Sequence, residues 1–354
     1  MTTPAGPMLS VVIPSYNGRP LLETCLASIA RHRPAEIAIE VIVADDGSTD
    51  DTAGWLTREH PDVRLVRHDQ NRGFVAAANA GIAAARGEFI QLLNNDAEVT
   101  EGWAETGLSP FTDPCVGSVA PLVLVRSGPS RVDSAGDAYA LVGWPHKRGH
   151  GEPVANWADH PGDRAFGASG SSAFYRASAL RRVGLFDPTF GAYYEDIDLA
   201  FRLRWAGYEC VFAPRCRILH DISASYDHAR PELQRLMARN AEILFWGDLP
   251  APLLALAFWP HVGFTLLQMM TRLAQGRLRP FLLGKLDALK DRSAWRARRA
   301  LRLDLANSAI SRPHFPLSLL SLREVRNHRS RPRKTAWQAN AVGRELPGRG
   351  GASA

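Results

Sequence analysis

The chain has 354 residues, 45% apolar and 22% charged, a globular composition that excludes an intrinsically disordered protein. Four cysteines, Cys25, Cys115, Cys210 and Cys216, show neither CxxC spacing nor the density of a secreted disulfide scaffold, and the opening MTTPAGPMLS lacks the charge and apolar run of a cleaved signal. Reduced, mostly buried thiols and a cytosolic catalytic part are therefore expected. The net charge of +6 is divided: from Arg272 onward there are 19 Lys and Arg against 5 Asp and Glu, and before it 23 against 31, a mildly acidic body with a basic tail.

In chain order, residues 9–13 (LSVVI) are a continuous β-branched run that stops at Pro14, the pattern of a buried parallel strand. Asn17-Gly18 makes a turn, and Pro20 opens a helix with Leu21, Leu22, Cys25, Leu26 and Ile29 at helical spacing. A second strand over 39–44 ends in Asp45-Asp46-Gly47-Ser48, with Thr49 or Asp50 capping a helix through Leu56, and 63–66 is a third strand. Ala-rich residues 73–85 predict a helix, and 87–93 a fourth strand that ends in Asn94-Asn95-Asp96. This alternation predicts an α/β fold on an open, mostly parallel sheet, with ligands bound beyond the carboxyl ends of the strands. Tyr16, Asp45, Asp46 and residues 94–96 all fall at such ends.

Residues 125–165 are rich in Gly, Pro and polar residues and predict an irregular insertion near the site. Regularity returns over 170–176 (GSSAFYR), residues 180–186 lead into a turn at Asp187-Pro188, and a helix from Asp196 stops at Gly207. A strand around 210–212 and the ILHD cluster at 218–221 follow, and no internal repeat is present.

Each polar cluster has a structural reading and a chemical one. Asp45 and Asp46 suit a turn that caps a helix; they also suit acceptors for the N–H edge of a pyrimidine and for ribose hydroxyls, walled by Pro14 and Tyr16. Asn94-Asn95-Asp96 suits a plain turn, or a hard cation such as Mg²⁺ or Mn²⁺ bound by Asp96 with Asn94 as a weaker or water-mediated partner. Glu195 and Asp196 favour a helix N-terminus by a few tenths of a kcal/mol, or one supplies a base for a hydroxyl nucleophile. Asp196 is the better candidate, Glu195 the second, and Asp198 orients its neighbours. His220 is a core histidine, a metal ligand or a diphosphate contact, and Arg202 and Arg204 are either paired or placed to offset diphosphate charge.

Taken together, VVIPSYNG, VADDGSTD, NRGFVAAANAGI, LLNNDAEV, GSSAFYR before VGLFD, and YYEDIDLAFRLRWAGY followed by His220 resemble the family 2 inverting glycosyltransferases of the bacterial cell-surface polysaccharide type, over residues 9–221. The resemblance implies a GT-A fold, a nucleotide-diphosphate sugar donor, Mg²⁺ or Mn²⁺, and inversion at the anomeric carbon. It implies Asp46 in the nucleoside pocket, with Pro14, Tyr16, Asn17, Asp45, Asn71, Gly73, Asn79, Asn94 and Asn95 on the donor side. It further implies Asp96, His220 and Asn94 at the metal, and Asp196, with Glu195, at the base position. Many members carry Asp where this chain has Asn94; LLNND is similar to rhamnosyl- and related transferases, implying a dTDP-rhamnose or UDP-hexose donor.

Beyond the catalytic domain expected over 1–240, residues 241–354 read as an apolar, then basic, helical extension. Residues 249–271 contain no Asp, Glu, Lys or Arg, but Pro250, Pro252, Pro260, His261 and Gln268 argue against a straight bilayer span. An interfacial or re-entrant segment, followed by basic helices on anionic headgroups, fits better; an apolar helix docked on the catalytic domain is the alternative. This extension resembles the membrane-associated ends of transferases that act on lipid-linked acceptors, implying the cytoplasmic face of the plasma membrane. Among other classes, a dinucleotide-dependent oxidoreductase would need G-x-G-x-x-G where the chain has PSYNGRP. A nucleic-acid module on Arg296, Arg298, Arg299 and Arg302 is disfavoured by the acidic body, and a non-catalytic sugar-nucleotide binder by the presence of Asp96, Asp196 and His220.

Overall fold

The computed structural model describes residues 8–221 and 230–318. The chain opens with β1 (Leu9–Ser15), α1 (Arg19–Arg31), β2 (Ile39–Asp45), α2 (Thr52–Glu59), β3 (Arg64–Arg67), α3 (Phe74–Ala84) and β4 (Phe89–Leu93). These strands pair in parallel in the order β3-β2-β1-β4. Because successive side chains point to opposite faces, β1 feeds two cores at once. Leu9, Val11 and Ile13 pack with Leu22, Cys25 and Leu26 of α1, whereas Val12 packs with Val75, Ala78 and Ile82 of α3.

Next come β5 (Ala97–Val99), α4 (Trp103–Leu108), β6 (Val116–Val125), β7 (Val132–Ser134), β8 (Asp137–Ala140), β9 (Trp144–Lys147), β10 (Arg164–Ala165) and β11 (Ser172–Arg176). After them run α5 (Ala177–Val183), α6 (Glu195–Trp205) and β12 (Glu209–His220). β11 enters the sheet antiparallel between β4 and β6, β12 runs parallel to β6, and β5 pairs antiparallel with the end of β12. The result is the expected α/β architecture, a mostly parallel sheet flanked by helices. Residues 125–165 depart from expectation: they hold β7 and a β8–β9 hairpin, in strands of three or four residues that are too short to leave a periodic signal.

The chain closes with α7 (Pro231–Asp248), α8 (Ala251–Ala274), α9 (Leu278–Lys290), α10 (Arg292–Asn307) and β13 (Leu317–Ser318), which adds to β8. The expected boundary at 240/241 falls inside α7. The prolines do not break residues 249–271: Pro250 and Pro252 sit at the start of α8, where a missing N–H costs little, and the helix continues through Pro260. Nor is α10 a free basic helix. Arg298 and Arg302 are buried against Asp187, Asp198 and Asp248, and Arg299 donates to the carbonyls of Trp246 and Leu249, while Arg296 is exposed. Those three charges are consumed in docking onto α6, α7 and the Asp187 turn instead of facing phosphates. The rest of the basic tail, residues 319–354, and most of the N-terminal leader lie outside the described residues. All four cysteines are free, and three are buried, as expected.

Candidate active site

Three groups of residues line the carboxyl end of the sheet. At the first, β1 and β2 end side by side, with Ser15 opposite Asp45. Asp45 accepts from the backbone N–H of Ser48 at 3.2 Å and from its hydroxyl, and faces Arg67 Nε at 3.2 Å, so this buried carboxylate holds its own turn. Asp46 donates its N–H to the Ser15 carbonyl at 2.9 Å. Its side chain accepts from the N–H groups of Arg72 (3.0 Å) and Gly73 (2.7 Å), and contacts His68 Nδ1 at 2.8 Å. Asp46 thereby fixes the loop that opens α3, where Gly73 has φ 90°, a conformation that glycine adopts without strain. Asn71 accepts from the same Gly73 N–H at 3.1 Å. Asn17, at φ 48°, donates to Ser48 Oγ (2.9 Å) and accepts from Thr49 N–H (2.8 Å), clipping the β1 and β2 exits together.

Pro14 is buried in β1, whereas Tyr16 is 45% exposed and its ring is available to a ligand. Asn79, expected on the donor side, has both ends of its amide on the backbone of Phe186, donating at 2.8 Å and accepting at 3.0 Å. It ties α3 to the segment before α6 instead.

The second group follows β4. Asn95 donates to Ser15 Oγ at 3.1 Å, and the Asn94 N–H donates to the Ser171 carbonyl at 3.1 Å. Pairing of β5 with β12 puts His220 opposite Ala97, and His220 Nε2 stands 3.2 Å from Asp96 Oδ1. That contact is out of line for a hydrogen bond, so the buried Asp96 Oδ1 has no donor. The other face of the imidazole is fixed: Asp133 Oδ2 lies 3.0 Å from His220 Nδ1, and Lys147 Nζ donates to both Asp133 oxygens at 3.0 and 2.9 Å. Burial alone would raise the Asp133 pKa, but Lys147, His150 and His220 outweigh it and hold that carboxyl well below its usual range. His220 rises to about 9: burial opposes its charge, and Asp133 and Asp96 more than compensate.

Ionised Asp133 accepts the Nδ1 proton, so a divalent cation at the orphaned Asp96 oxygen would displace the Nε2 proton of the imidazolium and take that nitrogen as a ligand. This donor set, one carboxylate and one imidazole, fits a divalent cation that takes its remaining ligands from elsewhere. Among the described residues no three His, Cys, Asp or Glu side chains converge to hold a metal unaided. Asn94 enters through its backbone, with a half-buried side chain.

The third group opens α6. Tyr193 and Tyr194 both lie in the left-handed region, at φ 65° and 72°, a conformation bulky residues adopt at a cost of roughly 1–3 kcal/mol each. The turn is held from α7: the buried Asn240 amide donates to the carbonyls of Phe190 (2.9 Å), Ala192 (3.1 Å) and Tyr193 (2.9 Å). Asp196 then accepts from the N–H groups of Gly170 and Ile197, both at 2.9 Å. Burial raises the pKa values of both acids at this helix start. Glu195 is pushed to about 8, by burial and then by Asp196; Asp196 is raised too, but the Gly170 and Ile197 N–H groups and the Lys147 charge favour its ionised form. Those donors favour the ionised form at Asp196, whereas at Glu195 burial and the neighbouring Asp196 favour the protonated one. Asp137 behaves like Glu195: burial and then Asp196 push it well above the usual range, and its Oδ2 has no hydrogen-bond donor.

The three groups are linked. Asp46 and Asn95 meet on Ser15, Asn94 bonds to Ser171, and neighbouring Gly170 holds Asp196. Lys147 pairs with Asp133 behind His220 and acts electrostatically on Asp196. Asp133, Asp137, Lys147 and Asn240 carried no sequence signal: the first three lie in the aperiodic insertion, and Asn240 acts upon the backbone; Gly170 opens the GSSAFYR block, but its role is played by its backbone N–H. Arg202 and Arg204 turn away from any diphosphate. Arg202 pairs with Asp198 and the carbonyls of Val183 and Gly184, and Arg204 with those of Ala165, Phe166 and His314. Asp198, held by Arg202, Arg298 and Arg302, sits at about pH 2 although burial opposes its charge.

Comparison with known proteins bears on the family and the fold. The model of glycosyl transferase family 2 matches residues 10–184, and that of glycosyl transferase family group 2 matches residues 149–271. A pre-mycofactocin glycosyltransferase of Mycobacterium tuberculosis is 28% identical over 351 residues, covering 90% of this chain and 68% of its own. An N-acetylglucosaminyl-diphospho-decaprenol L-rhamnosyltransferase of the same species is 32% identical over 248 residues, covering 60% of this chain and 76% of its own. Among solved structures, a mannosyltransferase of Pyrobaculum calidifontis with GDP-Man and Mn²⁺ shares the fold, with TM-score 0.52, 22% identity and 86% coverage of each chain. A GalNAc-T with UDP, GalNAc and Mn²⁺ has TM-score 0.54 and 18% identity, covering 70% of this chain; the present chain spans about half of it, 49%.

Proposed function

The chain belongs to glycosyl transferase family 2, and from that premise we propose that it moves a sugar, with inversion, from a dTDP-rhamnose or UDP-hexose type of donor to a hydroxyl of a lipid-linked cell-envelope glycan. The observation that carries this reading is the hydrogen-bonded rim joining Asp96 and its partner His220 to the N–H-held carboxylate of Asp196.

In this reading Tyr16 and the Asp46 loop receive the nucleoside. Asp96 and His220 hold a divalent cation, which supplies positive charge to the departing diphosphate when bound. Asp133 holds His220 through Nδ1, so that Nε2 would face the cation. Asp196 takes the proton of the acceptor hydroxyl as its oxygen bonds to the anomeric carbon, the bond from that carbon to the phosphate oxygen breaks, and the nucleoside diphosphate leaves with the electron pair. Glu195 holds its own proton at neutral pH and so cannot accept another, which favours Asp196 as base. The acceptor class is supported by the name of the rhamnosyltransferase relative and by α8, long and apolar enough to cross or lie on a membrane. It suits a reaction at the cytoplasmic face of the plasma membrane.

The test incubates the full chain with labelled dTDP-rhamnose, UDP-glucose, UDP-galactose or UDP-GlcNAc, a polyprenyl-diphosphate GlcNAc acceptor and Mn²⁺. Label entering the organic phase, abolished by EDTA, is expected for at least one donor. No transfer from any of them, with no metal-dependent rise in melting temperature on adding the nucleotides, overturns the reading.

A further inference from the structure

α8 presents apolar side chains on both of its faces. Outward stand Leu256, Trp259, Leu266, Met270 and Leu273, at steps of three, seven, four and three residues, and Trp259 and Met270 are 75% and 70% exposed. Inward, Ala257 is buried and Leu253 and Leu254 pack on the core, with His261 buried and Gln268 and Arg272 half-buried beside them. A helix docked on a water-soluble body keeps its outer face polar, and an exposed apolar stripe of this length marks a surface awaiting an apolar partner.

We infer that α8 is a monotopic docking helix that lies in the plane of an anionic phospholipid leaflet, with the stripe from Leu256 to Leu273 inserted among the acyl chains and the helix not crossing them. Two observations exclude the crossing orientation. His261, near mid-helix, is pinned to the body: its Nε2 lies 3.0 Å from Glu242 Oε1, its Nδ1 lies 2.8 Å from the Val142 carbonyl, and its ring stacks on Phe245 at 3.7 Å. Lys285 of α9 pairs with the same Glu242. A span would carry this Glu-His-Lys group and its supporting helices to the middle of the hydrocarbon, where such charges are rarely found.

The leaflet is chosen over a second copy by charge. Residues 249–286 contain no acid, and exposed Arg277 and Arg279 follow Leu273 directly. A dimer through this face would bring like charges together, whereas anionic headgroups attract them. The Arg272 charge, near the far end of α8, acts on the Tyr194 hydroxyl in the turn that leads into Glu195 and Asp196. Docking through α8 would thus hold a lipid-linked acceptor on the leaflet that the protein itself rests on. That consequence rests on the acceptor reading above; the docking itself does not, and is tested without sugar transfer.

The full chain is floated through a density gradient with phosphatidylcholine vesicles, with and without phosphatidylglycerol. Wild type is expected to float with the anionic vesicles, to shift its Trp emission to the blue, and to be released by alkaline carbonate. The double variant Trp259→Ser, Met270→Ser is expected to lose binding by about tenfold or more, with an unchanged melting temperature because both side chains are exposed. Three results overturn the inference: wild type sinking with both vesicles, wild type resisting carbonate as a spanning protein does, or a dimer in solution that the double variant turns to monomer.

Discussion

The proposed donor rim and base rim are joined by hydrogen bonds but are held in different ways. At the donor rim each side chain is fixed from within the parallel half of the sheet and its turns: Asp45 by Ser48, Asp46 by the N–H of Gly73, Asn17 by Thr49, and Asn95 by Ser15 across one strand pair. At the base rim the supports come from outside that half. Gly170 holds Asp196, Asn240 clamps the strained turn at Tyr193, and Arg298 and Arg302 of α10 grip Asp198, 100 and 104 residues away. The C-terminal helices are thus the mounting of the proposed base. Strand ends and tight turns hold the proposed nucleotide side; tertiary hydrogen bonds and ion pairs hold the proposed base.

The strongest way to break this contrast is Asp196→Asn. Turnover is expected to fall by about 10³-fold, the scale of a lost general base, while nucleotide affinity from isothermal titration stays unchanged; equal loss of both would mean that the two rims are not separable. Next in size is Arg302→Met, which leaves Asp198 and Asp248 buried with one cation fewer. It is expected to lower unfolding free energy by about 3 kcal/mol in a urea titration, whereas Arg67→Met at the donor rim, beside Asp45 but half exposed, is expected to cost less than about 1 kcal/mol. The pH dependence has a definite sign. Asp198 titrates near 2 when folded and near 3.8 when unperturbed, so its stabilisation is complete above 3.8 and is lost as pH falls towards 2. In Arg302→Met that acid limb is expected to be shallower.

Asp133→Asn sharpens the comparison at the metal half-site. Loss of the partner that orients His220 is expected to weaken Mn²⁺ binding by about 10- to 100-fold in the presence of nucleoside diphosphate, read by the electron paramagnetic resonance of free Mn²⁺. Nucleotide binding without metal is expected to be unaffected. The smallest effect is expected for Glu195→Gln. Since Glu195 is protonated until about pH 8, the amide mimics its working form. Activity at neutral pH is expected to change by no more than about threefold, the acid limb assigned to Asp196 is expected to stay in place, and any step near pH 8 should vanish. Abolished activity would move the base role to Glu195.

The sequence by itself determined the parallel half of the sheet and the residues at its strand ends, because a β-branched run that stops at Pro14, or at Asn94-Asn95-Asp96, encodes both the strand and the turn in adjacent positions. It determined the helix carrying Glu195 and Asp196 for the same reason. It did not disclose that Asn79 clamps Phe186, that Asp133 and Lys147 stand behind His220, or that Arg298 and Arg302 point inward. A basic run reads alike whether its charges meet lipid or buried carboxylates, and a three-residue strand leaves no period to detect. Those facts belong to the tertiary structure, since side chains separated by about a hundred residues find one another only when the helices between them have packed.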